Sequence, residues 1–182
     1  MYFDVIMAGF GGQGIQVISQ ILVEAVIKKG LEVTYLPSYG VEKRGGRTIV
    51  VVVMSDEEIG SPITNHPLSV IAMDSIALEK YQQQVAPGGV LIANTSLIDE
   101  ELLNRDDIEI ITVRCNDEAL ALGNSRFANM IALGALIERM DFLNPEDLEA
   151  VIDNVIPERL KETIPDNLRA IRRGMEISAS KN

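Results

Sequence analysis

Short apolar runs alternate with helical patterns along most of this chain. Strand patterns occupy residues 2–8, 31–36, 48–54, 69–74, 90–94 and 108–113. Apolar residues at helical spacing are clearest in 15–29 and 126–140. Shorter helical segments are predicted at 75–85, 98–104, 119–122 and 144–155. Two further helical segments begin at Pro157 and Pro165, and the second ends near residue 177. Strands separated by helices are typical of a parallel sheet. The pattern therefore predicts an α/β fold with an open, mostly parallel sheet and helices on both faces.

The composition fits one domain with an aliphatic core. The chain has 182 residues, of which 47% are hydrophobic but only 4% aromatic, and it contains no tryptophan. A chain of this length can bury a substantial core, and Val, Ile and Leu dominate parallel sheets that are covered on both faces. We expect a single domain, residues 1–182.

Charge and cysteine content exclude several functions. The net charge of −11 repels a phosphate backbone, so no nucleic-acid partner is expected. One cysteine and one histidine allow neither an internal disulfide nor a Cys/His metal site. Because no apolar run approaches the roughly 20 residues that span a bilayer, no membrane partner is expected. The N-terminus carries Asp4 and lacks a basic segment, so a cytoplasmic protein is predicted.

A glycine-rich stretch links the first strand to the first helix. Gly9, Gly11 and Gly14 satisfy the pattern G-x-G-x-x-G in the strand–turn–helix context of a Rossmann-like fold. The N–H groups that begin a helix are unpaired, and the helix dipole favours negative charge there. This stretch is therefore a candidate anion cradle.

The same stretch is incomplete as a dinucleotide site. A NAD site requires an acidic residue about 20 residues further on, at the end of the second strand. That position falls near Tyr35-Leu36-Pro37, and no Lys-Ser/Thr follows Gly14 to form a P-loop. Tight turning alone would not require Gly12 and Gln13, which favours a backbone surface that another molecule approaches.

A second polar loop, residues 37–47, follows the second strand. It combines Glu42, Lys43, Arg44 and Arg47 with three glycines. If the first two strands are parallel neighbours, both loops lie on one rim, where ligands of open α/β sheets bind. Arg44 or Arg47 is then placed to hold a phosphate or carboxylate. The spacing alone also fits a solvated loop with a local Glu–Arg pair.

These two loops resemble those of a known family. The chain is similar to the gamma subunit of the 2-oxoacid:ferredoxin oxidoreductases in the stretches 9–14 and 36–46 and, in matching order, in 58–62, 87–92 and Asn129-Met130. The form Leu-Pro-Ser-Tyr-Gly at residues 36–40 is most similar to the 2-oxoglutarate type. The resemblance extends from the first strand to helix 126–140.

The resemblance implies a role within a complex. Such complexes oxidatively decarboxylate a 2-oxoacid on thiamine diphosphate, form an acyl-CoA and reduce ferredoxin. Thiamine diphosphate, magnesium and iron–sulfur clusters are then expected in alpha, beta and ferredoxin-like partner subunits, and this chain has no cofactor or metal of its own. The residues expected to contact a partner subunit or CoA are Gly11, Gly12, Gln13, Gly14, Tyr39, Gly40, Glu42, Arg44, Gly45, Gly46 and Asn129.

The residues themselves agree that this chain cannot perform that chemistry alone. One cysteine cannot hold a four-iron cluster, and no nucleophile–base constellation is recognisable. Cys115 fits a small residue at the core edge, and His66 fits a loop residue. No catalytic residue is predicted. Two alternatives remain: a stand-alone NAD- or FAD-binding Rossmann oxidoreductase, and a scaffold whose glycine loop is empty.

Overall fold

The computed structural model describes residues 1–40 and 46–181. Its strands are β1 (Tyr2–Phe10), β2 (Glu32–Tyr39), β3 (Arg47–Ser55), β4 (Ser69–Ala72), β5 (Val90–Asn94) and β6 (Glu109–Val113). Its helices are α1 (Ile15–Lys28), α2 (Ser75–Tyr81), α3 (Cys115–Ala121), α4 (Ala128–Ile137), α5 (Pro145–Glu149), α6 (Ile152–Val155) and α7 (Ile164–Ala179). Short 3-10 turns occupy 82–84, 100–102, 125–127 and 158–163.

The strands form one mixed sheet in the order β2-β3-β1-β4-β5-β6. Strands β1, β4, β5 and β6 are mutually parallel, whereas β3 is antiparallel to both of its neighbours, β1 and β2. The prediction of a mostly parallel α/β sheet is confirmed. The condition that the first two strands be neighbours is not met, because β3 lies between them. A short loop can join β2 to β3 only if the two strands are antiparallel, since a parallel crossover needs a dozen or more residues.

Strand β2 is longer than its sequence predicts. The strand pattern in the sequence stops at residue 36, before Pro37, but the strand continues to Tyr39 and Pro37 pairs with Val50 of β3. Because β2 is at the edge of the sheet, the missing N–H of Pro37 can be tolerated there.

Helices cover both sides of the sheet. Helices α1 and α3–α7 lie on one side, the α1 face, where Val5 and Met7 of β1 point. Helix α2 lies on the other side, the α2 face, over Ile6 and Ala8. The two apolar clusters consist mostly of aliphatic residues, as the low aromatic content predicts.

Helix α4 is enclosed between the sheet and α7. All its residues from Ala128 to Ile137 are buried, which explains why its sequence is apolar around the whole helix. The contact with α7 is close because two glycines face backbone. A Cβ on Gly134 would meet the carbonyl oxygen of Ile171, and a Cβ on Gly174 would meet that of Ile131. This packing fixes α4, and with it the segment that leads into α4, against the sheet.

We predict that Gly134→Ala destabilises the chain although alanine is the better helix former. The overpacked contact with α7 should lower the free energy of unfolding by roughly 1–3 kcal/mol, measured by urea denaturation. Gly60→Ala is the control, because a Cβ at Gly60 meets no atom within 4 Å, and should change stability by less than about 0.5 kcal/mol. A Gly134→Ala variant as stable as the wild type would show that the two helices are not packed this closely.

Candidate functional site

The glycine loop between β1 and α1 presents open backbone. Gly12 and Gly14 have φ angles of 98° and 74°, in the left-handed region that favours glycine. Gly14 is the N-cap of α1, provides no side-chain cap, and is followed by no acidic residue in the first turn. The first N–H groups of α1 are therefore free of side-chain partners and favour an anion.

Gln13 braces this loop from within. Its side-chain Oε1 accepts a hydrogen bond from the Phe10 N–H at 2.6 Å, and its Nε2 donates to the Met73 carbonyl at 3.3 Å. The loop is thus tied to the end of β4. The prediction that Gln13 contacts another molecule remains a prediction, and the structure adds an internal role for its amide.

The second loop meets the first through the backbone. The Gly11 N–H donates to the Gly46 carbonyl at 2.8 Å, and the Gly40 N–H donates to the Arg47 carbonyl at 2.8 Å. Tyr39 contacts the start of α1, because its hydroxyl accepts a hydrogen bond from the side-chain Nε2 of Gln16. The two loops therefore share one rim, although their strands are not neighbours. Glu42, Arg44 and Gly45 lie outside the described residues.

Arg47 is occupied inside the protein. Its guanidinium donates to Asp74 at 3.1 Å and lies over the Phe10 ring, 5.1 Å from the centroid. The Asp74 carboxylate is buried and also accepts from the N–H groups of Ile76 and Ala77, at the start of α2. The expectation that Arg47 holds a ligand phosphate is therefore not supported, because its charge is neutralised by Asp74. Arg47 instead joins the start of β3 to the end of β4.

Asn129 reaches the glycine loop from α4. Its Nδ2 donates to the Gly14 carbonyl at 3.1 Å, and its Oδ1 accepts from the Met130 N–H at 2.9 Å. A Cβ on Gly14 would collide with this side-chain amide. Because glycine has no side chain, Gly14 can adopt the left-handed backbone conformation and also allow the close approach of Asn129.

Three clefts open around the glycine loop. The main cleft has a volume of about 380 Å³ and lies between residues 12–14 and residues 124–130, with residues 156–167 as its far wall. Two smaller clefts, of about 200 and 230 Å³, also include Gly12. Arg126 lines the main cleft and one of the smaller clefts. Among the described residues, it is the only cation that lines these clefts, and no carboxylate lines any of them.

The sequence pattern did not identify Asn124 and Arg126 as residues of the main cleft. Asn124 caps the 3-10 turn 125–127 by accepting from the Arg126 N–H at 3.0 Å, and this turn places Arg126 at the cleft. More than 100 residues separate these side chains from the glycine loop in the sequence. The only available signal was that they precede a helix apolar on all sides, which had to lie against the sheet.

Cys115 and His66 do not line the clefts around the glycine loop. Cys115 is fully buried, and burial raises the pKa of its thiol above the ordinary value, so it is not a reactive thiolate. His66 is on an exposed loop. Within residues 1–40 and 46–181, no cluster of three or more His, Cys, Asp or Glu side chains is placed to hold a metal ion. None of the helices described is long and apolar enough to cross a bilayer.

Fold and site together define an α/β domain in which two loops meet on one rim of the sheet. The model of the family "Pyruvate ferredoxin/flavodoxin oxidoreductase" matches residues 4–177. The 2-oxoglutarate synthase subunit KorC of Methanocaldococcus jannaschii is 30% identical over 96% of this chain and 93% of its own length. The chain belongs to this family, as a gamma-type subunit of the multi-subunit 2-oxoacid:ferredoxin oxidoreductases, whose catalytic subunits depend on cofactors.

Two further relatives extend the comparison. The gamma subunit of a keto/oxoacid ferredoxin oxidoreductase from Geobacter sulfurreducens superposes with a TM-score of 0.83 over 99% of this chain and 98% of its own, at 24% identity, which shows a common fold. The ketoisovalerate oxidoreductase subunit VorA of Methanothermobacter thermautotrophicus is 30% identical over 93% of this chain, which corresponds to only 35% of its own length. In that relative the same unit is part of a longer polypeptide.

A stand-alone Rossmann oxidoreductase is not favoured by these comparisons. The sheet gives a physical reason. In a dinucleotide site the acidic residue ends the strand beside β1, whereas here β3, running in the opposite direction, separates β2 from β1.

The contact between Gly14 and Asn129 can be tested by a double-mutant cycle. We predict that Gly14→Ala costs more stability than Gly12→Ala, whose Cβ would meet no atom within 4 Å. Asn129→Ala should be tolerated better, because the Gly14 carbonyl keeps its hydrogen bond from the Ile18 N–H.

Adding Asn129→Ala to Gly14→Ala removes the collision. Chemical denaturation should therefore show a favourable coupling free energy of about 1 kcal/mol or more. Additive effects would contradict the contact.

Proposed function

We propose that this chain is one component of a complex that decarboxylates a 2-oxoacid, such as 2-oxoglutarate, and forms an acyl-CoA. Thiamine diphosphate, magnesium and iron–sulfur clusters belong to alpha, beta and ferredoxin-like subunits, and ferredoxin accepts the electrons. This chain contributes one domain, residues 1–182, with no cofactor of its own. The complex is cytoplasmic and binds neither nucleic acid nor membrane.

The charge of the rim carries the proposal for this chain's own part. The protein has 27 acidic and 16 basic residues, yet the described residues that line the glycine-loop clefts include one arginine and no carboxylate. The uncapped start of α1 adds a positive dipole end beside Arg126. This arrangement suits an anionic group such as a phosphate of CoA.

The main cleft also suits the apolar part of such a ligand. Val17, Met130, Ile156 and Leu160 line it together with the glycine backbone. Its volume of about 380 Å³ is near the lower end for ligand pockets, which is roughly 300 Å³. It therefore holds part of CoA, and the remainder extends along the rim toward a partner subunit.

The residues proposed to contact CoA or a partner subunit fall into two groups. Those in the described part of the chain are Gly11, Gly12, Gln13, Gly14, Tyr39, Gly40, Gly46 and Asn129, to which the clefts add Arg126. Glu42, Arg44 and Gly45 stay predictions from the sequence.

Arg126→Ala tests the anion site in the assembled complex. Because a charged hydrogen bond contributes about 1.5–3 kcal/mol, we predict that the KM for CoA rises roughly tenfold or more. The kcat at saturating CoA should be unchanged, because the lost interaction holds the bound substrate and the transition state equally.

Arg172→Ala is the matched control for this experiment. Arg172 is an exposed arginine on α7 that pairs with Glu149 at 3.0 Å, away from the clefts, and its removal should leave the KM for CoA unchanged. If Arg126→Ala weakens assembly but leaves the KM for CoA at the wild-type value, the rim is a subunit contact and not a CoA site.

The isolated chain should be inactive. We predict that the purified protein is colourless, binds no thiamine diphosphate in calorimetry, and shows no oxoacid-dependent reduction of an electron acceptor. Activity should appear only when the partner subunits are added. Substantial turnover by the pure chain would contradict the assignment of all catalytic cofactors to partner subunits.

A further inference from the structure

One part of the sheet surface is apolar but lies beyond the helix that covers its neighbours. On the α2 face, a single row of paired residues crosses three strands from Ile6 through Val51 to Leu36. Ile6 is 3% exposed beneath α2, Val51 is half-buried, and Leu36 is 39% exposed. Helix α2 packs on β1 and β4, and along this row the exposure of the side chains rises from β1 through β3 to the edge strand β2.

The adjacent rows continue this surface. The next row runs from Ala8 through Ile49 to Ser38, with Ile49 half-buried and Ser38 exposed. Beyond it, Phe10 is 38% exposed on the same face. We define the open sheet patch as Phe10, Leu36, Ser38, Ile49 and Val51.

The open sheet patch is uncharged, although the protein is strongly acidic. None of its five residues carries a charge, although 24% of the chain is charged. Arg47, which borders it, is paired with the buried Asp74 carboxylate and lies over Phe10. Depletion of charged residues and the presence of aromatic and aliphatic side chains are typical of protein interfaces.

We propose that the open sheet patch is the surface on which another subunit of the oxidoreductase complex docks. This inference rests on the proposed function for the existence of that complex. It concerns the face of the sheet, whereas the proposed function concerns the clefts around the glycine loop. The occupant is the subunit corresponding to the additional polypeptide of the longer relatives. In VorA of Methanothermobacter thermautotrophicus, the matched unit is 35% of the chain, so the rest of that polypeptide is permanently attached to it.

Two observations favour this occupant over a second copy of the chain. Each copy has a net charge of −11, so two copies repel one another, whereas a partner of different charge need not. Pro37 removes one backbone donor from edge strand β2, which makes it a poor template for pairing with an identical strand. Docking therefore involves the face of the sheet more than its edge.

The patch is also continuous with the rim. Phe10 ends β1, directly before the glycine loop, and the loop after β2 meets that loop through the hydrogen bond from Gly11 to Gly46. A subunit seated on the patch therefore reaches the rim and can complete its clefts from outside. This placement links docking to the site without requiring a change of shape.

Cysteine protection tests the proposal in the assembled complex. Leu36→Cys places a thiol on the patch, and Leu120→Cys is the control, because Leu120 is 62% exposed on α3 at the opposite end of the sheet. The native Cys115 is buried and gives little background. N-ethylmaleimide labelling is followed by mass spectrometry for the isolated chain and for the chain assembled with its partner subunits.

Assembly should slow the labelling of Leu36→Cys by about tenfold or more, as expected for a desolvated interface centre, and leave Leu120→Cys within about twofold. Equal labelling of Leu36→Cys in an intact complex overturns the proposal and leaves the proposed function standing. Protection that appears in the isolated chain as its concentration rises, but not in the complex, assigns the patch to a second copy instead. If the wild-type chain forms no complex, both the occupant and the proposed function are wrong.

A charge insertion provides a second measurement. Leu36→Glu should raise the Kd for the remaining subunits about tenfold or more, whereas Leu120→Glu should change it less than twofold. Circular dichroism melting shows whether each variant is folded. A folded Leu36→Glu variant that assembles with wild-type affinity contradicts the proposal.

Discussion

The hydrogen-bond ladder of β3 is the constraint on which the site depends. This one strand pairs on both sides, and Thr48 lies opposite both Tyr39 of β2 and Gly9 of β1. The two strands that flank β3, β1 and β2, consequently run in the same direction and end at the same level of the sheet. Both loops emerge on one rim for that reason, and the hydrogen bond from Gly11 to Gly46 is a consequence of this register.

Helix α4 supplies the other half of the site. Its close contact with α7 through Gly134 and Gly174 holds α4 between the sheet and α7. Asn129 can then bind the Gly14 carbonyl, and the turn that precedes α4 presents Arg126 to the clefts. Packing between two helices thus determines the position of a cation beside the start of a third.

Much of the fold could be predicted because local pattern dominates it. The helical spacing of Ile15, Ile18, Leu22 and Val26 follows directly from burial against the sheet, and all four are buried. The continuation of β2 through Pro37 could not be predicted, because a proline is tolerated there only in an edge strand, and which strand is at the edge is a property of the whole sheet. The direction of β3 was also beyond local pattern, since an apolar run fits a strand of either direction.

The site was predictable only in part, for a related reason. Gly14 could be identified from a short motif whose backbone requirements are local, whereas Arg47 could not be distinguished from a ligand-binding arginine without its partner, Asp74. Arg126 is brought to the cleft by contacts distant in sequence, so no spacing rule identifies it. In the sequence, only the family resemblance points to Asn129. The structure shows its hydrogen bond to the Gly14 carbonyl, and its contact with a partner subunit or CoA stays a prediction.

In the proposed function, the open backbone at the start of α1 receives an anionic part of CoA within the complex. Hydrogen–deuterium exchange of the assembled complex, with and without CoA, measures this backbone directly. We predict that CoA slows exchange in residues 12–17 by about tenfold or more and leaves the exchange of the amides of α3 unchanged. Unchanged exchange in residues 12–17, at a CoA concentration that saturates turnover, would contradict it.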